Sequence, residues 1–470
     1  MTRNPALSHR PRRTARTRAR LALAASAVPL FALTGCGAGA DAEATATGVV
    51  DYWMWDTNQL PAYQKCAEMF EAEHPDQDVR ITQTGWGDYW TKLTAGFIAD
   101  TGPDVFTNHV SKYPQFAELE VLAPLEEHPA TAALDPEDYQ DGLVDLWTGP
   151  DGHQYGVPKD WDTVAAFYNE ELLAEAGLTP ADLEGWSWNP EDGGSFEDLV
   201  AHLTVDENGV RGDEPGFDKD HVAVYGLGIS EAGGSTAGQG QWSAFAASNG
   251  WRVTNEPLWG DHYNLDDPSL HETLDWYFGL SDKGYMPDYG QFNAAEGVNA
   301  QLASGSAAMV LDGAWMISTY AGIEDFPVGT ARTPVGPDGT ATTMLNGLAD
   351  SIVKDTDNPE GAAQWAAFMG SAQCQQEVAR AGVVFPSRQD ATPLAAEAYR
   401  QMGIDPEPFI APVEEGNTVY FPVTKFGADV SALMNPALED IYANRVPAST
   451  LTEINDAVNV LFETDETNDS

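Results

Sequence analysis

Tryptophans stand beside carboxylates at several places along this chain. The sequence contains 14 tryptophans, and many lie in polar, glycine-rich stretches that favour loops. An aromatic ring packs against the apolar C–H face of a pyranose, while carboxylate and amide groups bond to its rim of hydroxyls. The pattern therefore indicates a site for a carbohydrate. The candidate residues are Trp55, Asp56, Trp86, Asp160, Trp161, Trp242, Asp312 and Trp315.

The same residues are compatible with a secreted glycoside hydrolase, which also uses carboxylates beside tryptophans. With 73 acidic residues in the chain, a catalytic pair cannot be identified from sequence. The motifs His-Glu-x-x-His, Gly-x-Ser-x-Gly and Gly-Lys-Ser/Thr are all absent. The acidic residues between 206 and 218 lack the spacing of a calcium-binding EF-hand. We therefore expect no enzyme activity, no cofactor and no metal site.

The first elements that must position these residues alternate between strand and helix. Hydrophobic periodicity predicts strands at 49–54, 79–84 and 104–108, and helices at 60–74 and 89–99. This βαβαβ order predicts a doubly wound sheet. Ligands collect at the loops after such strands. Those loops are predicted to contain Trp55 with Asp56, Trp86, and Asn108 with His109.

A second unit begins near residue 156. It has predicted helices at 170–176 and 270–280, and a strand that ends near Asp312 and delivers Trp315 to a loop. Residues 342–354 are expected to be extended. A helix at 359–370 follows, with Asn358 as its N-cap, and further helices are predicted at 430–442 and 451–462.

The N-terminus has the pattern of an export signal. Seven arginines and no acidic residue occupy the first 20 positions, and the apolar run at 21–33 is too short to span a bilayer. The segment 33–36, Leu-Thr-Gly-Cys, resembles a bacterial lipobox, in which Cys36 is lipidated and cleavage occurs before it. We expect a signal peptide at 1–35 and a lipidated Cys36 with a flexible linker at 36–47.

Charge excludes several partners. Without the leader's seven arginines, 16 of the 23 basic residues remain against 73 acidic ones. Such a surface repels nucleic acid and anionic lipid headgroups, so membrane attachment is expected through the lipid anchor alone. The expected location is the extracellular face of the cell membrane.

Two cysteines remain besides Cys36. Cys66 lies on the inward face of the helix at 60–74, and Cys374 follows the helix at 359–370. In an exported protein this pair favours a disulfide, although two free buried thiols are the alternative.

Four separated segments together resemble the extracellular solute-binding proteins of ABC sugar importers, in the maltose-binding-like cluster. They keep the family order and span nearly the whole mature chain. They are TGPDVF at 101–106, GVPKDWDT at 156–163 with YN at 168–169, SGSAAM at 304–309 continuing to GAW at 313–315, and VFPSR at 384–388.

The resemblance implies an α/β fold of the type II periplasmic-binding-protein class, with two doubly wound lobes joined by a hinge of several crossings. Lobe 1 would comprise 48–157 and 345–393, and lobe 2 would comprise 158–344 and 394–470. Asp160 would be the acidic contact near the hinge and Trp315 the stacking residue. Asn346, at a predicted crossing, would be a further ligand contact, and Arg388 either reaches the cleft or pairs with nearby acids.

The resemblance also implies a function. A monomeric binding protein would capture a carbohydrate, expected to be an oligosaccharide, between closing lobes and deliver it to a permease driven by a separate ATPase. A polyamine or another solute on the same scaffold is the alternative. A polyamine would suit the negative charge, since aromatic boxes also bind cations.

Overall fold

The computed structural model describes residues 48–229, 236–292 and 297–468, with side chains described through residue 463. The expected signal peptide and Cys36 lie outside these residues. Within this part of the chain, no helix is long and apolar enough to cross a membrane.

Twelve strands and sixteen α-helices make up the described structure. The strands are β1 (Gly48–Met54), β2 (Gln77–Gln83), β3 (Val105–Asn108), β4 (Val157–Asp162), β5 (Val164–Asn169), β6 (Val205–Asp206), β7 (Val222–Gly228), β8 (Ala307–Gly313), β9 (Val328–Ala331), β10 (Thr343–Ile352), β11 (Phe385–Pro386) and β12 (Thr418–Tyr420). The helices are α1 (Leu60–Glu73), α2 (Trp86–Ala99), α3 (Tyr113–Glu118), α4 (Leu143–Leu146), α5 (Glu170–Glu175), α6 (Gly194–Leu203), α7 (Ser243–Ser248), α8 (Pro268–Asp282), α9 (Val298–Ala303), α10 (Ile317–Ala321), α11 (Pro359–Met369), α12 (Ala372–Ala381), α13 (Thr392–Gln401), α14 (Glu407–Glu414), α15 (Gly427–Asn444) and α16 (Leu451–Asn468).

The strands form two separate sheets. The first has the order β11-β4-β10-β3-β1-β2, with β12 paired to β10, and the second has the order β6-β7-β8-β5-β9. In the first sheet β1 runs parallel to both β2 and β3, so the predicted βαβαβ unit is confirmed. Strand β10 runs antiparallel to β3 and β4.

Local sequence explains most of these elements. In β1 alternate side chains are buried, namely Val50, Tyr52 and Met54, because successive residues of a strand face opposite sides of the sheet. The side chain of Asn358 accepts a hydrogen bond from Gly361 N and caps α11. One local prediction is wrong: Trp86 begins α2 instead of standing in a loop.

The chain passes between the sheets along extended segments. Strand β4 belongs to the first sheet and β5 to the second, and only Thr163 separates them. We therefore place the first crossing between the lobes at Thr163, whereas the family resemblance implied a lobe boundary after residue 157. Beside it Thr343, at the start of β10, is bonded through its hydroxyl to both Val164 N (3.0 Å) and Val164 O (2.9 Å).

A disulfide joins α1 to α12. Cys66 and Cys374 are both fully buried, and their sulfurs are bonded across a sequence separation of 308 residues. Cys374 lies inside α12, a helix that the sequence reading did not predict, and Ser371 caps that helix. Both helices pack in the core beneath the first sheet, which contains Tyr63, Phe70 and Trp365.

A group of buried ionisable side chains lies on β4 and β10. Lys159 Nζ donates to Asp160 Oδ2 at 3.0 Å, and both side chains are almost inaccessible to solvent. Asp350 Oδ1 accepts hydrogen bonds from Tyr52 Oη (2.8 Å) and Thr107 Oγ1 (3.2 Å). Burial raises the pKa of Asp350 to about 7, although the nearby ammonium of Lys159 opposes this shift.

Removing the disulfide should lower stability and leave ligand binding intact. In the Cys66→Ser/Cys374→Ser variant we expect the free energy of unfolding to fall by about 2–4 kcal/mol, because the cross-link restricts the unfolded chain. Urea unfolding measures the change. A reducing agent should destabilise the wild type but not the variant. Equal stability of the two proteins without reductant would contradict the prediction.

Asp350 should make the protein less stable as the pH rises. The folded carboxyl keeps its proton up to about pH 7, whereas an unfolded aspartate loses it near pH 4. The folded state therefore binds more protons in this interval, and the free energy of unfolding falls with rising pH. The neutral Asp350→Asn variant should lose less stability between pH 5 and pH 8 than the wild type, by about 1–4 kcal/mol.

Urea unfolding at both pH values measures this difference. Asp355→Asn, at an exposed aspartate just after β10, serves as the charge-matched control. A slope in Asp350→Asn equal to that of the wild type and the control would show that Asp350 is not the responsible group.

Candidate functional site

A cavity of about 610 Å³ lies where loops from both sheets meet. The first sheet contributes the loop after β1, the start of α2, the residue after β3 and the end of β4. The second contributes the end of β8 and the turn that follows it. In open α/β sheets such loops at strand ends are the usual place for a ligand. The lining residues are Trp55, Asp56, Thr57, Asn58, Gln59, Trp86, His109, Asp162, Gly238, Gln239, Gly240, Gln241, Val298, Leu311, Asp312, Trp315, Met316, Asn346 and Leu348.

The cavity brings together six of the ten ligand contacts expected from the sequence. These six are Trp55, Asp56, Trp86, Asp312, Trp315 and Asn346. They come from positions more than 290 residues apart in the chain, so the folding of both sheets is needed to assemble them.

The other four expected contacts do not line this cavity. Asp160 is buried against Lys159. Trp161 stacks on Phe385 in the core, with ring centroids 4.6 Å apart. Trp242 is also buried, and its ring packs on Trp251.

Arg388 is the fourth of these residues. Its guanidinium forms ion pairs with Asp138 (2.8 Å) and Asp390 (3.0 Å). Of the two expectations for Arg388, the structure therefore shows the pairing with nearby acids.

Several polar lining residues were not among the expected contacts, and three of them are Asp162, His109 and Gln239. Asp162 lies two residues beyond Asp160 on β4, so both side chains are on the same face of the strand, but only Asp162 reaches the cavity. The sequence placed His109 in a loop at the correct sheet edge without assigning it a role. Gln239 had no sequence signal of its own.

One wall of the cavity is aromatic. The ring of Trp55 lies edge-on to that of Trp86, with centroids 5.0 Å apart, and Trp90 packs against both. Trp86 is 47% exposed, which is unusual for so large an apolar side chain. This arrangement offers ring faces to a ligand.

Trp315 belongs to the second sheet and depends on a glycine. A Cβ atom at position 313 would lie 1.8 Å from the ring of Trp315, which is far inside van der Waals contact. Glycine at 313 therefore allows the indole to lie against the end of β8.

A hydrogen-bonded group of side chains occupies the junction of β4 and β10. Asp162 Oδ1 accepts from Gln239 Nε2 at 2.7 Å, and Asp162 Oδ2 accepts from Asn346 Nδ2 at 3.3 Å. Asn346 Nδ2 also lies 3.1 Å from His109 Nε2. On the other side of the ring, His109 Nδ1 accepts a hydrogen bond from Ser111 N at 3.1 Å and lies 2.8 Å from Ser111 Oγ.

Burial sets the charge states of these groups. It lowers the pKa of His109 to about 3, with a further contribution from Lys112, so the imidazole is neutral. Burial raises the pKa of Asp312 to about 6, while hydrogen bonds from Tyr320 Oη and Gly313 N, both 2.8 Å long, limit the rise. Burial, followed by the charge of Asp160, raises the pKa of Asp162 well above its usual value.

An adjoining cavity of about 350 Å³ continues the site along α2 and α15. It shares Trp86, His109 and Gln239 with the first cavity and also contains Trp90 and Lys112. The two cavities therefore lie next to each other at these shared residues.

The sequence is similar to one known protein family and to several known binding proteins. A family model described as bacterial extracellular solute-binding protein matches residues 65–402. A lactose-binding protein of Rhizobium radiobacter is 31% identical over 154 residues, which cover 30% of this chain and 34% of that protein. The chain thus spans about a third of the length of the curated relatives it matches.

The fold is similar to those of several solved structures. Mycobacterium tuberculosis UspC superposes with a TM-score of 0.69 at 24% identity, over 88% of this chain and 99% of that one. A substrate-binding protein of Listeria monocytogenes, in complex with cycloalternan, gives a TM-score of 0.73 at 20% identity, over 89% and 99% of the two chains. These matches confirm the predicted periplasmic-binding-protein fold with two α/β lobes.

Gly313→Ala should displace the indole of Trp315, because the added methyl would overlap the ring. We expect a loss of about 1–3 kcal/mol in stability from this overpacking. Fluorine NMR of protein labelled with 5-fluorotryptophan should show a shifted Trp315 signal, assigned with Trp315→Phe. Gly240→Ala is the control, because a Cβ there meets only Leu311 O, at 3.8 Å. An unchanged Trp315 signal in Gly313→Ala would contradict this description.

Proposed function

The chain belongs to the bacterial extracellular solute-binding proteins, and from this premise we propose that it captures an oligosaccharide and delivers it to an ABC importer. The cavity between the two sheets is the proposed binding site. Its contacts would be Trp55, Asp56, Trp86, Asp162, Asp312, Trp315 and Asn346.

The observation that carries this proposal is the convergence of tryptophans and carboxylates from both sheets on one cavity. Trp55 and Trp86 come from the first sheet and Trp315 from the second. A sugar ring between them can pack its C–H faces on indole while its hydroxyls bond to carboxylates and amides. The lactose-binding relative and the neighbour with bound cycloalternan support a carbohydrate ligand.

The proposed length of the ligand follows from the shape of the site. The adjoining cavity extends the space past Trp86 and His109 towards α15. A single sugar ring would leave this extension empty, and an oligosaccharide could occupy both parts. We therefore favour several sugar units.

We propose that the ligand stabilises a closed arrangement of two lobes, each built around one sheet. The hinge would comprise the crossing at Thr163, the start of β10, and the segment after β12. Asn58 Nδ2, in the loop after β1, lies 3.5 Å from Thr319 Oγ1 on α10, and this contact would join the two lobes in the closed arrangement.

The remaining parts of the proposal come from the N-terminal sequence and the family. Cys36 would carry the lipid anchor and hold a monomeric protein at the extracellular face of the membrane. The permease and its ATPase would be separate proteins, and the chain itself would carry out no reaction.

The first test is thermal unfolding with a panel of mono- and oligosaccharides, followed by mass spectrometry of the recovered sugars. A ligand at 100 times its Kd stabilises the folded state by about 2.7 kcal/mol, enough to raise the melting temperature visibly. We expect stabilisation by one class of sugar, recovered intact. Recovery of shortened sugars would indicate a hydrolase instead, and stabilisation by no sugar would contradict the proposal.

A matched pair of variants tests the place of the site. Asp162→Asn should weaken sugar binding about tenfold or more, because the carboxylate is proposed to bond to the ligand. Asp160→Asn should mainly lower stability, because it leaves the buried Lys159 without its partner. Calorimetric titration and urea unfolding separate the two effects, and the reverse assignment would contradict the placement of the cavity contacts.

A further inference from the structure

The cavity between the two sheets is lined by acidic side chains but by no basic ones among the described residues. Three aspartates line it, Asp56, Asp162 and Asp312, whereas no lysine or arginine is among its lining residues in the described part of the chain. The internal segments 230–235 and 293–296 contain no lysine or arginine in their sequence either. His109 is neutral because its pKa is low. The site therefore has three carboxyl groups and no basic side chain of its own among the described residues.

The buried carboxylates of the cavity bond to neutral groups. Asp162 receives its bonds from the amides of Gln239 and Asn346. Asp312 receives its bonds from the hydroxyl of Tyr320 and the backbone of Gly313. Burying a charge without a partner of opposite sign is costly.

Elsewhere on β4, a buried carboxylate is paired with a cation of the protein. Asp160, deeper on the same strand face, is paired with the ammonium of Lys159. The chain thus supplies a cation to the carboxylate outside the cavity and none to the two within it. A cationic group on the ligand would supply the missing charge.

A further acceptor lines the same cavity. Asn346 is 3% exposed, and its Oδ1 atom has no hydrogen-bond partner among the described residues. The carboxyl groups of Asp162 and Asp312 line the same cavity. An ammonium group donates three hydrogen bonds and carries the complementary charge, whereas a hydroxyl donates only one.

The tryptophans of the cavity can also bind a ligand that carries a cationic group. Indole attracts a cation placed over its face, and it also packs against the C–H face of a sugar ring. A flexible polyamine would satisfy the charge but would gain less from broad, flat indole surfaces such as those of Trp55 and Trp315. A sugar ring that carries an amine matches both features.

We propose that the ligand is an amino sugar, free or within an oligosaccharide, whose protonated amine lies between Asp162 and Asp312 while its ring packs on the tryptophans. This inference rests on the proposed function, since it specifies the carbohydrate bound in the same cavity.

The charge states of the cavity agree with this assignment. Burial raises the pKa of Asp312 to about 6, and an adjacent ammonium would lower it. Binding near pH 6 should therefore release protons from the protein. The charged or titratable neighbours of these groups are Tyr320 beside Asp312, and Asp160 and Asp312 beside Asp162.

The test is calorimetric titration of the full mature protein with pairs of sugars that differ only in carrying an amine in place of the 2-hydroxyl of each ring. The pairs are glucose with glucosamine, galactose with galactosamine, and cellotriose with chitotriose, and spermidine is titrated separately. We expect the aminated member of at least one pair to bind about tenfold or more tighter than its neutral partner at pH 6. The triacetylated form of chitotriose, which lacks the charge, should lose this advantage.

Two variants test the role of the carboxylates. Asp312→Asn and Asp162→Asn should each reduce the preference for the amine, because an amide of similar size cannot ionise to pair with the ammonium group. The charge-matched control Asp355→Asn lies on an exposed loop after β10 and should keep the wild-type preference. The preference is a ratio within one protein, so a partial loss of stability in a variant does not remove it.

The outcomes are distinguishable. Neutral sugars that bind as tightly as their aminated partners would overturn the amino-sugar inference and leave the proposed function standing. Binding of spermidine without any sugar would overturn both, as would the absence of binding to any sugar or to spermidine. An amine preference that persists in both Asp162→Asn and Asp312→Asn would overturn the assigned position of the amine.

Discussion

The structure depends on two extended segments that pass side by side between its sheets. One runs through β4, Thr163 and β5, and the other is β10, and every residue of these three strands is buried. Buried backbone must be hydrogen-bonded. Pairing of β4 with β10 and the bonds between Thr343 and Val164 meet this requirement. The pairing of these two segments therefore fixes the position of one sheet relative to the other, and with it the position of the cavity.

The same segments carry polar side chains at two depths, with different consequences. At the deeper level Lys159 neutralises Asp160, and Asp350 is held by Tyr52 and Thr107. At the cavity Asp162 pairs across the strands with Asn346. The deeper carboxylate of Asp160 has a cation as its partner, whereas no lysine or arginine lines the cavity beside Asp162 and Asp312 among the described residues. This difference favours a role in binding for the cavity group.

Sequence reasoning predicted the elements whose pattern is local. The alternation in β1, the N-cap Asn358 and the strand that delivers Trp315 all depend on neighbouring residues, and each is present. The predictions that failed concern which side chains are buried in the core and which ones face the cavity. Asp160 and Asp162 share a strand face, and only the packing of distant segments decides which of them reaches the cavity. Trp161 and Trp242 have the same side chain as Trp55, yet non-local packing buries them, and Gln239 is placed by a loop without a sequence pattern.

The most direct test is a crystal structure of the protein with the sugar that stabilises it. We expect electron density for the sugar between Trp55 and Trp315, with a ring substituent within hydrogen-bond distance of Asp162 or Asp312. The structure contains other cavities, including one of about 450 Å³ lined by Trp251 and Tyr420. A sugar bound there, with the cavity between the sheets empty, would contradict the account.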